Sequence, residues 1–107
     1  SDILCVDVLY GPGNSTSLSI NSSLYTAEEG SKALDIVCKA TCNPNCSYYW
    51  HRHSKTITNT NTLVLGDVER NNTGLYNCTA YNTFLGKRRE STVSLNVIIK
   101  YAPNVTI

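Results

Sequence analysis

Two cysteines and two histidines close together in the sequence are the residues best suited to chemistry. They are Cys42 and Cys46 in the segment TCNPNC, followed by His51 and His53. Thiolates and imidazoles are preferred zinc ligands, but the spacing C-x3-C-x4-H-x-H matches no standard zinc module. A redox pair needs a thiol with a lowered pKa, as at a helix N-terminus, and the sequence predicts no helix here.

A disulfide between Cys42 and Cys46 requires the chain between them to turn back. In an extended strand their backbones would stand about 13 Å apart, too far for a bridge. The intervening Asn-Pro-Asn is typical of turns and would bring the two cysteines together. The sequence therefore favours a disulfide that closes a loop, and we expect neither a metal ion nor a cofactor.

The composition indicates one small domain from an oxidising compartment. The chain has 107 residues and a net charge of +1, which gives no electrostatic reason to bind nucleic acid or a membrane surface. No apolar run is long enough to span a bilayer, and five cysteines favour the secretory route. No nucleophile elbow, carboxylate pair or phosphate-binding loop is present, so we predict a protein that is not an enzyme.

Asn-X-Ser/Thr glycosylation motifs are unusually frequent. The sequence has roughly twice as many as its Asn, Ser and Thr content predicts by chance. This excess predicts a glycosylated extracellular protein. The six predicted acceptors are Asn14, Asn21, Asn45, Asn71, Asn77 and Asn104.

Short runs with alternating apolar residues predict strands, and no amphipathic helix pattern appears. In ALDIVCKA, one face is predicted to carry Leu34, Ile36, Cys38 and Ala40. Similar alternation occurs in SYYWHR, GLYNCTAYN and TVSLNVII, with turn residues between the runs. Many short strands of this kind predict an all-β, two-sheet antiparallel sandwich.

Two further cysteines fit a covalent link between the sheets. Cys38 and Cys78 fall on inward positions of different strands, with Trp50 between them in sequence. A disulfide closing so long a loop would stabilise the fold by about 4 kcal/mol through loop-closure entropy. Tyr76, two residues before Cys78, fits a tyrosine corner, in which the hydroxyl binds nearby backbone.

These features together resemble the immunoglobulin superfamily over nearly the whole chain. The resemblance rests on Cys38, Trp50, the 63–65 strand LVL, and the run NTGLYNC at 72–78. Only 12 residues separate Trp50 from Leu63, too few for the two extra strands of a variable domain. The resemblance therefore implies an I-set or C2-set domain with a buried cross-sheet disulfide. Paired-cysteine loops also occur in immunoglobulin domains of invertebrate tandem-domain surface proteins, which favours the loop disulfide.

One position departs from the family pattern. Where Asn72 stands, the family usually has an Asp, often paired with an Arg. An Asn keeps a hydrogen bond but loses the ion pair, so we expect a weaker tie at this point.

Similar segments near both ends suggest a tandem array. Tyr-X-Pro occurs at Tyr10 and again at Tyr101, one domain length later, and proline suits the passage between domains because it cannot donate to a sheet. We expect 1–9 to end a preceding domain or form a linker, 10–100 to form the immunoglobulin-like domain, and 101–107 to lead into another. Cys5 would then find its partner outside this chain, bridge another molecule, pair with Cys42 or Cys46, or stay free.

The function predicted from the sequence is protein recognition outside the cell. An adhesion or self/non-self module would bind another cell-surface or secreted protein, either a copy of itself or a different one. Aromatic anchors and a basic run are the predicted contact residues, namely Tyr49, Tyr81, Phe84, Lys87, Arg88 and Arg89. A glycan on outward-facing Asn77 would shield part of that face. The alternative is a structural spacer in a multi-domain ectodomain, including that of a receptor kinase.

Overall fold

The computed structural model describes residues 8–101, which form eight strands and one short 3-10 helix. The strands in chain order are β1 (Ser17–Leu18), β2 (Leu24–Glu28), β3 (Ile36–Lys39), β4 (Ser47–Arg52), β5 (Lys55–Thr58), β6 (Thr62–Leu63), β7 (Gly74–Phe84) and β8 (Lys87–Lys100). The 3-10 helix is Arg70–Asn72, just before β7. No helix in this part of the chain is long and apolar enough to cross a membrane.

The strands form two sheets packed face to face. The smaller sheet has the order β1-β3-β6, and the larger has the order β2-β8-β7-β4-β5. Every pair is antiparallel except β2 with β8, which run parallel from Leu24↔Asn96 to Glu28↔Lys100. The predicted all-β sandwich is therefore confirmed.

Two tight hairpins fix the register of the larger sheet. Leu85 and Gly86 join β7 to β8, and His53 and Ser54 join β4 to β5. All four residues have φ between +52° and +70°. Two positive-φ residues in a two-residue loop match the twist of the flanking strands, so the sheet continues on both sides without a splay.

The disulfide Cys38–Cys78 lies at the centre of the core. It joins β3 of one sheet to β7 of the other, with the two Cα atoms 6.5 Å apart. Both cysteines and the neighbouring Trp50 are fully buried, and the indole Nε1 donates to the carbonyl of Asn61 at 3.1 Å. The predicted cross-sheet disulfide and its tryptophan neighbour are present.

A tyrosine corner holds the start of β7. The Tyr76 hydroxyl donates to the carbonyl of Asn72 at 2.7 Å and accepts from Arg52 at 3.0 Å. Arg52 also donates to the carbonyls of Asn71 (3.2 Å) and Thr73 (2.7 Å). The guanidinium thus binds the backbone on both sides of Asn72.

Asn72 itself binds elsewhere. Its side-chain Oδ1 accepts from the backbone N–H of Glu69 at 2.7 Å and so caps the 3-10 helix. Among residues 8–101, no carboxylate lies within ion-pair distance of Arg52. The position that departs from the family pattern therefore keeps a hydrogen bond without an ion pair.

One predicted core position is wrong. Leu34 was expected to face inward, but it is 63% exposed, and Ala33 is buried in its place. The strand begins only at Ile36, because the preceding segment makes irregular bonds: the Ala33 N–H donates to Gly66, and the Leu34 N–H donates to the Tyr25 hydroxyl. Period-two alternation therefore does not extend back to Leu34.

Candidate interaction surface

The outer face of the larger sheet carries three of the six predicted contact residues, namely Tyr49, Tyr81 and Arg88. Strand β7 points Tyr76, Cys78 and Ala80 into the core, so Asn77 and Tyr81 point outward. Outward residues of β4 and β8 lie beside them, because β7 pairs with β8 along its whole length and with β4 from Asn77 to Tyr81. This face divides into two halves of different chemistry.

The half nearer the β7–β8 hairpin is aromatic and basic. The Tyr49 ring lies 5.2 Å from the His51 ring and 5.9 Å from the Tyr81 ring, the latter edge to face. The Arg88 guanidinium lies 3.9 Å from the Tyr81 ring centre. We call Tyr49, His51, Tyr81 and Arg88 the aromatic patch; with parts of the β4–β5 hairpin and Asn59 they line a shallow hollow.

Thr79 fixes the floor of the aromatic patch. Its hydroxyl shares hydrogen bonds with Thr92 at 2.8 Å and with His51 Nε2 at 3.3 Å, and only 2% of the residue is exposed. A buried hydroxyl needs such partners, and here they join three adjacent strands. The aromatic patch therefore rests on a rigid part of the sheet.

The structure places the residues of the predicted basic run, Lys87, Arg88 and Arg89, on different sides of β8. Arg88 faces the aromatic patch, where it also pairs with Glu90 at 3.0 Å. Arg89 points to the opposite side of β8, with its guanidinium 3.8 Å from the Phe84 ring centre. Phe84 and Arg89 therefore do not join Tyr49 and Tyr81 on one surface. Exposed Lys87 lies at the hairpin between the two sides.

The other half of the outer face is apolar. Leu24 on β2 and Leu75 on β7 both pair in register with Asn96 of β8, and Ile98 follows Asn96 by two residues on the same face. These three apolar side chains are 44–48% exposed. We call Leu24, Leu75 and Ile98 the apolar patch. Sequence reasoning missed it because β2 was not predicted as a strand.

Asn77 lies at the border between the two patches. It pairs in register with His51 on one side and Ser94 on the other, and its Oδ1 accepts from the Ser94 hydroxyl at 2.6 Å. The predicted outward orientation is what the structure has. Four other predicted glycan acceptors are exposed, three on loops and Asn71 on the 3-10 helix, and Asn104 and Cys5 lie outside the described residues. The four are Asn14, Asn21, Asn45 and Asn71.

The TCNPNC segment forms a closed loop at the end where the chain enters the domain. Cys42 and Cys46 are joined by a disulfide, with their Cα atoms 5.2 Å apart. Their sulfur atoms are bonded to each other, so they are not available as thiolate ligands for a metal. No cluster of three or more metal-ligating side chains occurs among the residues that the structure describes.

This loop holds the incoming segment of the chain. The backbones of Tyr10 and Asn43 exchange two hydrogen bonds, at 2.9 Å and 3.0 Å. The Asn43 side chain also donates to the carbonyl of Val8 at 3.0 Å. Asn82, 4% exposed, donates from Nδ2 to the carbonyls of Tyr10 (2.8 Å) and Pro44 (3.0 Å). One buried amide therefore ties the incoming segment to the closed loop.

A glycine lets the incoming segment lie against the sheet. A Cβ added to Gly11 would stand 2.7 Å from the Cβ of Arg89, closer than real Cβ atoms approach. Any side chain at this position would push the incoming segment off β8. The close approach therefore accounts for the glycine in Tyr-Gly-Pro.

The end where the chain leaves the domain is held by charge. Glu29 accepts from the Arg70 side chain at 2.9 Å and 3.1 Å, and the Arg70 guanidinium lies 4.0 Å from the Tyr101 ring centre. The hydrogen bond from Arg70 lowers the pKa of Glu29, and the same bond raises the pKa of Arg70. Sequence reasoning missed this pair, whose members are 41 residues apart.

Solved structures of immunoglobulin (Ig) domains share this architecture. The N-terminal four Ig domains of Dscam1 isoform 1.9 match with a TM-score of 0.63 at 22% identity, over 80% of this chain and 20% of that one. Tandem Ig repeats of Dlar match with a TM-score of 0.60 at 19% identity, over 81% of this chain and 49% of that one. A tandem pair of titin Ig domains matches with a TM-score of 0.58 at 17% identity, over 82% of this chain and 50% of that one. The chain is an immunoglobulin-fold domain.

The likeness concerns the immunoglobulin fold and extends over about a fifth to a half of each matched chain. No protein-family model matches the sequence. The predicted short form of the immunoglobulin domain fits the single strand, β5, that occupies the space between Trp50 and Leu63. Its two disulfides are consistent with an extracellular domain.

Proposed function

We propose that this immunoglobulin-fold domain is a non-catalytic recognition module of a cell-surface or secreted protein, and that the aromatic patch is its contact surface. The observation that carries the proposal is the cluster of Tyr49, Tyr81 and Arg88 on one open sheet face. Tyrosine and arginine are the residues that most often dominate binding energy in protein interfaces.

The arrangement of the aromatic patch favours binding of another protein. The rings are half-buried and already packed on each other, so little side-chain freedom is lost when a partner covers them. Arg88 is partly neutralised by Glu90, which suits a partner surface of mixed polarity better than a strongly acidic one. The partner proposed first is a second copy of the same protein.

Sedimentation of the secreted protein, with its neighbouring domains, tests the proposal over a wide concentration range. We expect concentration-dependent dimers that disappear in Tyr81→Arg, because a second cation beside Arg88 would repel the opposing surface. Val64→Arg is the matched control, because Val64 is exposed and lies just after β6, outside the larger sheet. Equal dimerisation of wild type and Tyr81→Arg would contradict a contact through this patch.

A structural spacer is the second candidate function. It is favoured by the hydrogen bonds that fix the incoming segment at Tyr10 and Asn43, which would hold a preceding domain at a set angle. On this view 1–9 belong to a preceding domain or linker, 10–100 form the rigid unit, and 101–107 lead onward. A strict monomer that binds no partner, together with a fixed interdomain angle in small-angle scattering, would favour the spacer.

A further inference from the structure

We propose that the apolar patch is the binding site for the N-linked glycan of Asn77, so that the sugar covers one half of the outer face and leaves the aromatic patch open. This inference rests on the cell-surface or secreted character proposed above and on the glycosylation predicted from the sequence. It assigns the glycan a place on the protein surface and does not depend on which partner the aromatic patch binds.

The sheet register places Asn77 beside the apolar patch. Leu75 precedes Asn77 by two residues on the same face, about 7 Å along the strand. Leu24 lies two strands away, opposite Leu75 across Asn96. Neighbouring strands are about 4.8 Å apart, so the first sugars attached to Asn77 can reach all three members of the patch.

The Asn77 amide is held in an orientation that suits attachment. Ser94 donates to Oδ1 at 2.6 Å, whereas Nδ2 donates to no acceptor within residues 8–101. An N-linked glycan replaces a hydrogen on Nδ2 and leaves Oδ1 in place, so the Ser94 bond persists after modification. The Asn77 side chain lies on the outer face, and its Nδ2 is not engaged by another group within residues 8–101.

The apolar patch matches the chemistry of a sugar ring. A pyranose has C–H groups on its faces and hydroxyls at its rim. Exposed leucine and isoleucine side chains would pack against the C–H groups, and the exposed polar side chains of Thr26 and Asn96 stand where hydroxyls need partners. A tethered ligand also binds at high effective concentration, which favours this glycan over a diffusing partner.

The aromatic patch offers the glycan less. Its tyrosine rings pack on each other and on His51, and Arg88 covers Tyr81. Its apolar surface is thus largely engaged within the patch, whereas the members of the apolar patch are nearly half exposed. The glycan therefore finds open C–H contacts on the Leu75 side of Asn77.

A double-mutant cycle on the secreted, glycosylated protein tests the inference. Thermal midpoints are compared for wild type, Asn77→Gln, Leu75→Ser and the double variant. We expect Asn77→Gln to lower the midpoint, and to lower it by less than half as much when Leu75 is already Ser. Val64→Ser is the matched control and should leave the effect of Asn77→Gln unchanged, because Val64 lies just after β6, outside the larger sheet that carries Asn77.

A second measurement needs no variant. Nuclear Overhauser contacts between sugar C–H protons and the Leu75 methyl groups should appear in the native glycoprotein.

The inference is overturned by a bare Asn77 in the mass spectrum of the secreted protein, by equal effects of Asn77→Gln in both backgrounds, or by absent sugar–Leu75 contacts. A bare Asn77 would also count against the proposed glycoprotein. The other two outcomes would leave recognition through Tyr81 intact.

Discussion

The two ends of this domain are held by different kinds of interaction. Where the chain enters, backbone bonds between Tyr10 and Asn43 and the buried amide of Asn82 fix the segment. Where it leaves, about 40 Å further along β8, an ion pair of Glu29 and Arg70 lies under Tyr101. The first set contains no titratable group, whereas the second is made of them.

The difference in burial between the two ends predicts how each end responds to pH and salt. Asn82 is 4% exposed, so its hydrogen bonds have no competition from water. The side chains of Arg70 and Glu29 are 51% and 34% exposed, so salt and solvent weaken their attraction. The incoming end should therefore be insensitive to pH and salt, and the outgoing end should respond to both.

The largest expected effect concerns Asn82. Asn82→Ala should lower the free energy of unfolding by about 2 to 3 kcal/mol, because the two hydrogen bonds that the buried amide donates to the carbonyls of Tyr10 and Pro44 are lost. Chemical denaturation measures the change. Thr83→Ala, at the exposed next position, is the control, and equal stability of the two variants would show that the buried amide contributes nothing.

The loop disulfide should contribute somewhat less. Replacing both Cys42 and Cys46 by Ser should cost at most about 2 kcal/mol, because the ring it closes is small. The amide of Tyr10 should exchange hydrogen faster in the variant, because its acceptor Asn43 is no longer held. The amide of Ala33, far from the loop, should keep its rate; similar acceleration of both would indicate general destabilisation instead.

Two tyrosine hydroxyls allow a matched comparison of the ends. Tyr76→Phe near the outgoing end should cost about 1 to 1.5 kcal/mol, because the Asn72 carbonyl loses its hydrogen bond from the hydroxyl and Arg52 loses one of its three acceptors. Tyr48→Phe near the incoming end should cost less, because Tyr48 is only half-buried and its hydroxyl bonds the neutral backbone of Ala40 rather than a charged donor. Free energies of unfolding of the two variants check this order. A larger loss for Tyr48→Phe than for Tyr76→Phe would mean that the tyrosine corner contributes little stability.

The smallest effect is expected at Glu29. Arg70 lowers the pKa of Glu29 in the folded protein, so the pair stabilises the fold above the ordinary carboxylate pKa and stops doing so as pH falls through the lowered value. Acidification from about pH 7 to about pH 3 should therefore cost Glu29→Gln less stability than wild type. The difference in stability loss between wild type and Glu29→Gln should shrink in high salt. Identical profiles of stability against pH for the two proteins would mean that the ion pair does not stabilise the fold.

Most of the fold could be predicted from the sequence because its signals are local or covalent. Alternation located the strands around Cys38, Trp50 and Cys78, and Tyr76 marked the corner. Strand β2 was missed because LYTAE lacks the apolar alternation of an inner strand; it pairs at an edge and buries only part of one side. Leu34 was misplaced because nothing local shows that the chain becomes irregular before Ile36.

The surface was predicted only in part, because side-chain direction depends on register. Tyr49 and Tyr81 could be placed on one face by alternation. Lys87, Arg88 and Arg89 read as one basic run in sequence, yet consecutive strand residues point to opposite faces. The contacts of Asn82 with Tyr10 join residues 72 apart, and no sequence pattern indicates them.

The burial of Thr79 would limit glycosylation of Asn77 to the time before the domain folds. A glycosylation sequon is read as asparagine together with its serine or threonine, and in the folded domain Thr79 is buried beneath the aromatic patch while Cys78 is cross-linked. Delaying cysteine oxidation should raise sugar occupancy at Asn77 and leave the exposed sequon at Asn21 unchanged. Under the glycosylation predicted for Asn77, the occupancy of this site would thus depend on how fast the domain folds, because a chain that closes its sheet first would leave Asn77 without a sugar.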